Sequence, residues 1–185
     1  TAPPEAIAAG GLLRDPRAVA IVTGQQAGLF GGPLFTLLKA LTAIRLAERT
    51  AAEHHVPTVA VFWIDSEDHD WNEVKACNVL DASLRLVRIS LNNPPAAGDG
   101  PVAGVRLDTS VTAALDLLAA TLPPSEFTPS LLEGLRQAYA PGVGMAVAFG
   151  RWLESLLGSR GLVVFDASDP AAKPPRPNAR SAAHP

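Results

Sequence analysis

Two short apolar runs enclose a long amphipathic one, and this arrangement limits the fold more than any other feature of the chain. Residues 18–22, AVAIV, and 58–64, TVAVFWI, are rich in β-branched side chains, and the second adds Phe62 and Trp63 without strict alternation. Runs of this kind suit parallel strands covered on both faces. Between them Leu34, Leu37, Leu38, Leu41 and Ile44 recur at helical spacing, while Lys39, Arg45, Arg49 and Glu53 take polar positions. A helix is therefore predicted over 33–54, with Pro33 in its first turn, where a missing N–H costs no bond. Strand, loop, helix and strand make a βαβ unit whose crossover is right-handed. The fold class is α/β, with a parallel sheet.

Further along, LRLVRISL (84–91) reads as a strand, NNPPAAGDGPVAG as a turn-rich excursion and VRL (105–107) as a returning strand. This predicts a hairpin-like insertion over about 84–107. Helices are expected at 110–121, 128–139 and 145–158, broken by LPPSEFTP and APGVG, with Thr128 as a cap candidate before Pro129. GLVVFDASDP (161–170) returns to a buried strand that ends in acidic and small polar residues. After Lys173 the segment PPRPNARSAAHP has four prolines and no apolar periodicity, so 174–185 is expected to be a disordered, Pro-rich tail.

With 185 residues the chain suits one domain of ordinary size. Its 48% hydrophobic and 18% charged composition is that of a globular protein. A net charge of -3, with no basic run interleaved with aromatics, argues against nucleic acid as a partner. The longest bulky apolar stretch, 59–64, is far too short to cross a bilayer, and no signal-like core opens the chain. The single cysteine, Cys77, excludes an internal disulfide or a multi-cysteine zinc site. A reducing cytoplasm is the expected location, with no membrane partner.

In an open α/β sheet, ligands bind outside the carboxyl ends of the strands. Three predicted strands end in polar segments: TGQQ (23–26), DSEDHD (65–70) and DASD (166–169). If they share a sheet, all three face one cleft. Gly24, Gly28, Gly31 and Gly32 match neither G-x-G-x-x-G nor a P-loop. The loop over 23–32 fits equally a tight strand-to-helix connection or an anion cradle of backbone N–H groups at a helix N-terminus. Gln25 and Gln26 bring amides suited to a carboxylate, amide or hydroxyl. Asp65, Glu67, Asp68, His69 and Asp70 crowd into six residues, a density that serves acid/base chemistry, a metal or an ammonium group, or simply a solvated turn capping a short helix. His69 is the natural proton-transfer group near neutral pH. Cys77, Trp63, Trp71 and Trp152 read as packing residues, and His54 and His55 as favourable charges at a helix end.

VTGQQAGLFGGPLFTLLKALTAIRLA, VPTVAVFWIDSEDHDWNEV, GPVAGVRL, EFTPSLLEGLRQAY and GLVVFDASDPAAK resemble successive blocks of the bacillithiol biosynthesis cysteine-adding enzymes, the cysteine ligases, over about residues 18–173. The resemblance implies a Rossmann-like nucleotide-binding core similar to class I aminoacyl-tRNA synthetases and nucleotidylyltransferases. It also implies a cytoplasmic enzyme that joins L-cysteine to glucosaminyl malate through an amide bond. ATP, with magnesium, would activate the cysteine carboxylate by analogy of fold. The matching positions are Thr23, Gly24, Gln25, Gln26, Gly28 and Gly32 in the first block and Ser66, Glu67, Asp68, His69 and Asp70 in the second. On this reading His69 takes the proton of the attacking amine, and Glu67 or Asp68 binds an ammonium group. The amides of the first loop stabilise developing negative charge, and Asp166, Ser168 and Asp169 line the third side. No resident metal is expected.

Family members are longer, so the resemblance is to a partial catalytic core over 1–173, and the coiled coil through which the family dimerises falls outside it. Two other functions fit the same residues: a non-catalytic, ligand-binding α/β module, and a metal-assisted hydrolase built on the acidic turn.

Overall fold

The expected βαβ unit forms, and its strands pair in parallel over their whole length. In the computed structural model, which describes residues 2–172, β1 (Val19–Gln26) lies beside β2 (Thr58–Asp65) in a register running from Val19 opposite Thr58 to Gln26 opposite Asp65. The helix between them, α2 (Leu34–His54), ends at His55, which adopts a left-handed cap. β5 (Val163–Asp166) adds in parallel to the other side of β2, giving the sheet order β1-β2-β5. The domain is Rossmann-like, as expected. The Pro-rich tail over 174–185 lies outside the described residues.

Strand β1 runs four residues further than the sequence reading allowed. Thr23, Gly24, Gln25 and Gln26 belong to the strand, because β2 continues to Asp65 and supplies a partner for each of them. Gly24 is compatible with this pairing for a steric reason: a Cβ there would sit 2.6 Å from the Trp63 carbonyl oxygen. The bare loop is thus shorter, and it closes into a 3-10 turn, Leu29–Gly31. Pro33 precedes the helix in extended conformation, with φ −70° and ψ 153°, so α2 starts one residue later than predicted.

The insertion also differs from expectation. The partner of β4 (Leu86–Ser90) is β3 (Ala76–Leu80), antiparallel and local. Asp81 closes the turn between them by accepting from the Ser83 and Arg85 amides and from Arg85 Nε. ACNVL escaped notice because it directly follows α3 (Trp71–Val74), a single helical turn. Residues 105–107 instead form an extended segment clamped to the start of a helix, through Leu107 N–H to Val143 O and Met145 N–H to Val105 O.

Helices α4 (Ser110–Thr121), α5 (Thr128–Ala138) and α6 (Met145–Leu157) lie close to their predicted positions. Thr128 is the first residue of α5 and no cap; Ser125 Oγ accepts its N–H. A further helix, α1 (Pro4–Leu12), had no counterpart in the sequence reading, since its two glycines interrupt any apolar stripe.

These helices cover the sheet unequally. A Cβ on Gly150 of α6 would approach Ile64 and Val164, whereas one on Gly10 of α1 would approach Val163. Adjacent strand residues point to opposite faces, so α6 and α1 lie on opposite sides. Helix α1 shields the amino-terminal part of its face, where Val59 and Val61 are buried. Beyond it the same face is open, leaving Val22 57% and Trp63 45% exposed. Among the described residues no helix is long and apolar enough to cross a membrane.

Candidate functional site

The three polar strand ends do converge. β1 ends in Gln26, β2 in Asp65 and β5 in Asp166, and the parallel register sets them side by side. A cleft of about 520 Å³ opens over the ends of β1 and β2, on the face that α1 leaves bare, and no residue of β5 is among its walls. Its walls are Val22, Thr23, Gly24, Gln25, Gln26, Trp63, Asp65 and Asp68. Trp63 forms its apolar floor beside Phe165, with ring centroids 4.6 Å apart.

Side chains from separate segments tie this region together. Gln26 Nε2 donates to Asp68 Oδ2 at 2.6 Å and to Glu73 Oε2 at 3.2 Å. Asp68 Oδ1 accepts from the Asp70 amide. The Gln26 amide, followed by the backbone N–H groups and the charge of His69, holds the Asp68 carboxyl below the usual carboxylate range. Asp68 is therefore an ionised acceptor at neutral pH, suited to an ammonium group and not to donating a proton. Asp70 caps α3 by accepting from the Glu73 N–H, the role that composition alone allowed. The turn is anchored from beyond as well, since Val102 N–H donates to Asp68 O and Ala103 N–H to Ser66 O.

Not every residue expected at the site faces the cleft. Ser66 is fully buried, donating from Oγ to Asp166 Oδ1 and accepting from the Ser168 amide. Ser168 Oγ also donates to Asp166 Oδ1, at 2.7 Å. These three residues bind one another and fasten the end of β5 to the end of β2. Asp169 accepts from Ala171 N–H and caps the 3-10 turn that follows. Glu67 and His69 are exposed on the same turn as Asp68, outside the ring of residues that lines the cleft.

The glycine loop is closed upon itself. Gly28 N–H donates to Gln26 O, Gly31 N–H to Gly28 O and Gly32 N–H to Leu29 O. Those three amides are committed internally, so a cradle built from them does not describe this loop. A Cβ on Gly28 would meet Gly32 Cα at 2.8 Å, and Gly32 itself has φ +69°. Close approach and left-handed backbone explain both glycines. Phe30, between them, also has positive φ.

Sequence reasoning missed two residues here. Tyr139, buried at the end of α5, donates its hydroxyl to Gly28 O and accepts from Gly31 N–H; its ring meets Phe30 edge-on at 5.2 Å. Burial pushes its pKa far up, so it remains a neutral phenol. The only signal was that a buried tyrosine needs a partner for its hydroxyl. Lys39 on α2 donates to Gln25 Oε1 at 2.9 Å and to Gly24 O at 3.3 Å, placing a cation beside the strand end.

Residues 4–178 match the family described as "Bacillithiol biosynthesis BshC, N-terminal Rossmann-like domain". The chain belongs to this family. Proteins named "Putative cysteine ligase BshC" are similar to it across most of its length. That of Salinibacter ruber is 40% identical over 163 residues, 87% of this chain and 29% of its own length. Those of Chlorobaculum tepidum and Symbiobacterium thermophilum are 39% and 36% identical over 85% and 88% of this chain, and 28% and 31% of their own lengths. The chain thus spans less than a third of these BshC relatives. The residues that match the family, 4–178, include all three strand ends of the Rossmann-like domain.

Proposed function

We propose that the strand-end cleft serves a ligase reaction in which L-cysteine is joined to glucosaminyl malate by an amide bond, with ATP as the activating cosubstrate. BshC family membership supports the reaction class. The observation that carries the assignment to this cleft is Asp68, an ionised carboxylate steered by Gln26 to the mouth of a polar hollow.

In this reading Asp68, held by Gln26, receives the ammonium group of an amino-acid substrate, while the Gln25 side-chain N–H groups orient its carboxylate. Lys39 supplies the nearby positive charge. The amine nitrogen attacks the activated carboxyl carbon, a C–N bond forms, the C–O bond to the activating phosphate breaks, and the amine releases a proton. His69, on the exposed side of the turn, takes that proton. Asp65 and Glu67 flank the same turn and keep the site electronegative. Magnesium enters with the nucleotide as its complex. Among the described residues no group of three or more histidines, cysteines or carboxylates is gathered to hold a metal.

The test is to incubate the chain with cysteine and glucosaminyl malate, with and without ATP and magnesium, and to look for the amide product by mass. The whole-length Salinibacter ruber relative runs in parallel. Product lost on Asp68→Asn or His69→Ala substitution in a folded protein supports the roles given. Cysteine binding without product by this chain, with product from the relative, makes this domain the binding part of a larger active unit. If the whole-length protein forms no amide under any of these conditions, the ligase reading fails.

A further inference from the structure

Helix α6 carries Trp152 into a gap between two glycines. A Cβ on Gly31 would lie 3.0 Å from Trp152 Nε1, and one on Gly134 would lie 2.8 Å from the other end of the ring, at Cζ3. The indole is thus held at both ends, and only 6% of Trp152 is exposed. Among the described residues its Nε1–H has no acceptor, in contrast with that of Trp71, which donates to Asn93 Oδ1.

A second polar group stands unpaired beside the next residue of the same turn. Thr36, in the first turn of α2, is 2% exposed, and among the described residues its Oγ1 has no hydrogen-bond partner. A Cβ on Gly32 would lie 3.5 Å from that oxygen. Buried hydroxyls are nearly always bonded, and one left without a partner is destabilising.

Both residues wall one pocket. It has a volume of about 280 Å³, lies between the 3-10 turn, the start of α2, α5 and α6, and includes Gly31, Gly32, Thr36 and Trp152 in its lining. The rest of the lining is apolar, Phe30, Leu37 and Leu131 among it, and no charged side chain takes part. The pocket shares no residue with the cleft over the ends of β1 and β2.

We propose that this pocket is a second ligand site, for a compact uncharged molecule with an apolar body and a carbonyl group. Apolar walls with a few fixed polar groups are the make-up of small-molecule sites. The two lone pairs of one carbonyl oxygen match the two donors, the indole N–H and the Thr36 hydroxyl, which stand against the consecutive residues Gly31 and Gly32. A carboxylate fits less well, because no cation lines the pocket and a buried charge without a partner costs far more than a buried dipole. The apolar body lies against Phe30, Leu37 and Leu131. This site does not depend on the ligase reading, and its test needs no activity.

Benzylacetone, a ketone carried on a phenyl body, is the probe, followed through the indole N–H signals of isotope-labelled protein. Trp152→Phe identifies the Trp152 signal among those of the three tryptophans. That signal should move downfield and saturate, with those of Trp63 and Trp71 unmoved. Thr36→Val keeps the shape and removes the hydroxyl, so it should weaken the probe roughly fivefold, the contribution of one hydrogen bond. Its urea midpoint should not fall, and Thr36→Ser should bind the probe like wild type. Hydrocinnamate, in which a carboxylate replaces the ketone, should bind more weakly at neutral pH. A Trp152 signal that does not respond overturns the proposal. So does equal binding by Thr36→Val, which would make the pocket a nonspecific apolar hollow, or a lowered midpoint, which would show that the hydroxyl already has a partner. Hydrocinnamate binding as tight as the ketone's overturns the choice of an uncharged ligand.

Discussion

Gln26 Nε2 and Asp68 Oδ2 meet at 2.6 Å although 42 residues separate them in sequence. The bond forms because parallel pairing carries β1 and β2 to the same level and the acidic turn then folds back over Gln26. In wild type the Asp68 carboxyl should titrate below the ordinary aspartate value of 3.8, with the Gln26 amide as the largest cause. A depressed folded-state pKa contributes stability above the unfolded value, and the contribution disappears as pH falls through the folded one. Carbon-detected NMR titration of Gln26→Ala should move Asp68 upward toward 3.8. An unchanged titration would show that Gln26 does not control it.

Gly24→Ala tests the packing reason for the first glycine. Its Cβ would lie 2.6 Å from a backbone oxygen of β2, which cannot rotate away. Overpacking of this kind costs about 1–3 kcal/mol, and urea unfolding should show a loss in that range. A neutral result would mean that the strand pair spreads freely at the site.

Tyr139→Phe keeps the ring against Phe30 and removes only the hydroxyl that bridges Gly28 O and Gly31 N–H. Losing a buried partner in this way costs about 1–3 kcal/mol. Stability should fall accordingly, with faster exchange at Gly31, and Tyr139→Leu should cost more because the edge-to-face contact goes too.

Ser66→Ala and Ser168→Ala distinguish a buried tie from a half-buried one. Ser66 is fully buried and serves both Asp166 and the Ser168 amide. Its removal takes one bond from each, while the Ser168 amide and hydroxyl still donate to Asp166 Oδ1, so the loss should be that of ordinary buried hydrogen bonds, about 0.5–1.5 kcal/mol. Ser168→Ala should cost less, since solvent reaches its position. Denaturation of the two variants side by side gives the order, and equal losses would refute it.

Burial pushes the Cys77 thiol up to about 11. The neutral thiol is the favoured form in the fold, so alkylation at pH 7 to 8 should be slow, rise as pH approaches 11 and become fast in denaturant. Rapid alkylation of the native protein at neutral pH would contradict that placement.

The elements with strong periodicity were legible in the sequence. Leu34, Leu37, Leu41 and Ile44 announced α2, and TVAVFWI announced a buried parallel strand, because each pattern is local and repeats with its own geometry. β3 was not legible: ACNVL is short and follows a helical turn, and only its pairing with LVRIS makes it a strand. α1 was hidden by Gly10 and Gly11, which interrupt its apolar stripe.

At the candidate site the sequence by itself determined the chemistry on offer: amides in TGQQ, carboxylates and a histidine in DSEDHD, and serine with aspartate in DASD, each placed at a strand end. Their division of labour was settled only by tertiary structure. It turned Ser66, Asp166 and Ser168 toward one another, left His69 and Glu67 outside the cleft wall, lowered the Asp68 carboxyl's pKa through Gln26 and spent the glycine amides within their own loop. Residue type fixes which bonds a side chain is able to make. Which of them it does make depends on partners brought near from distant parts of the chain, and those distances follow from sheet register and packing.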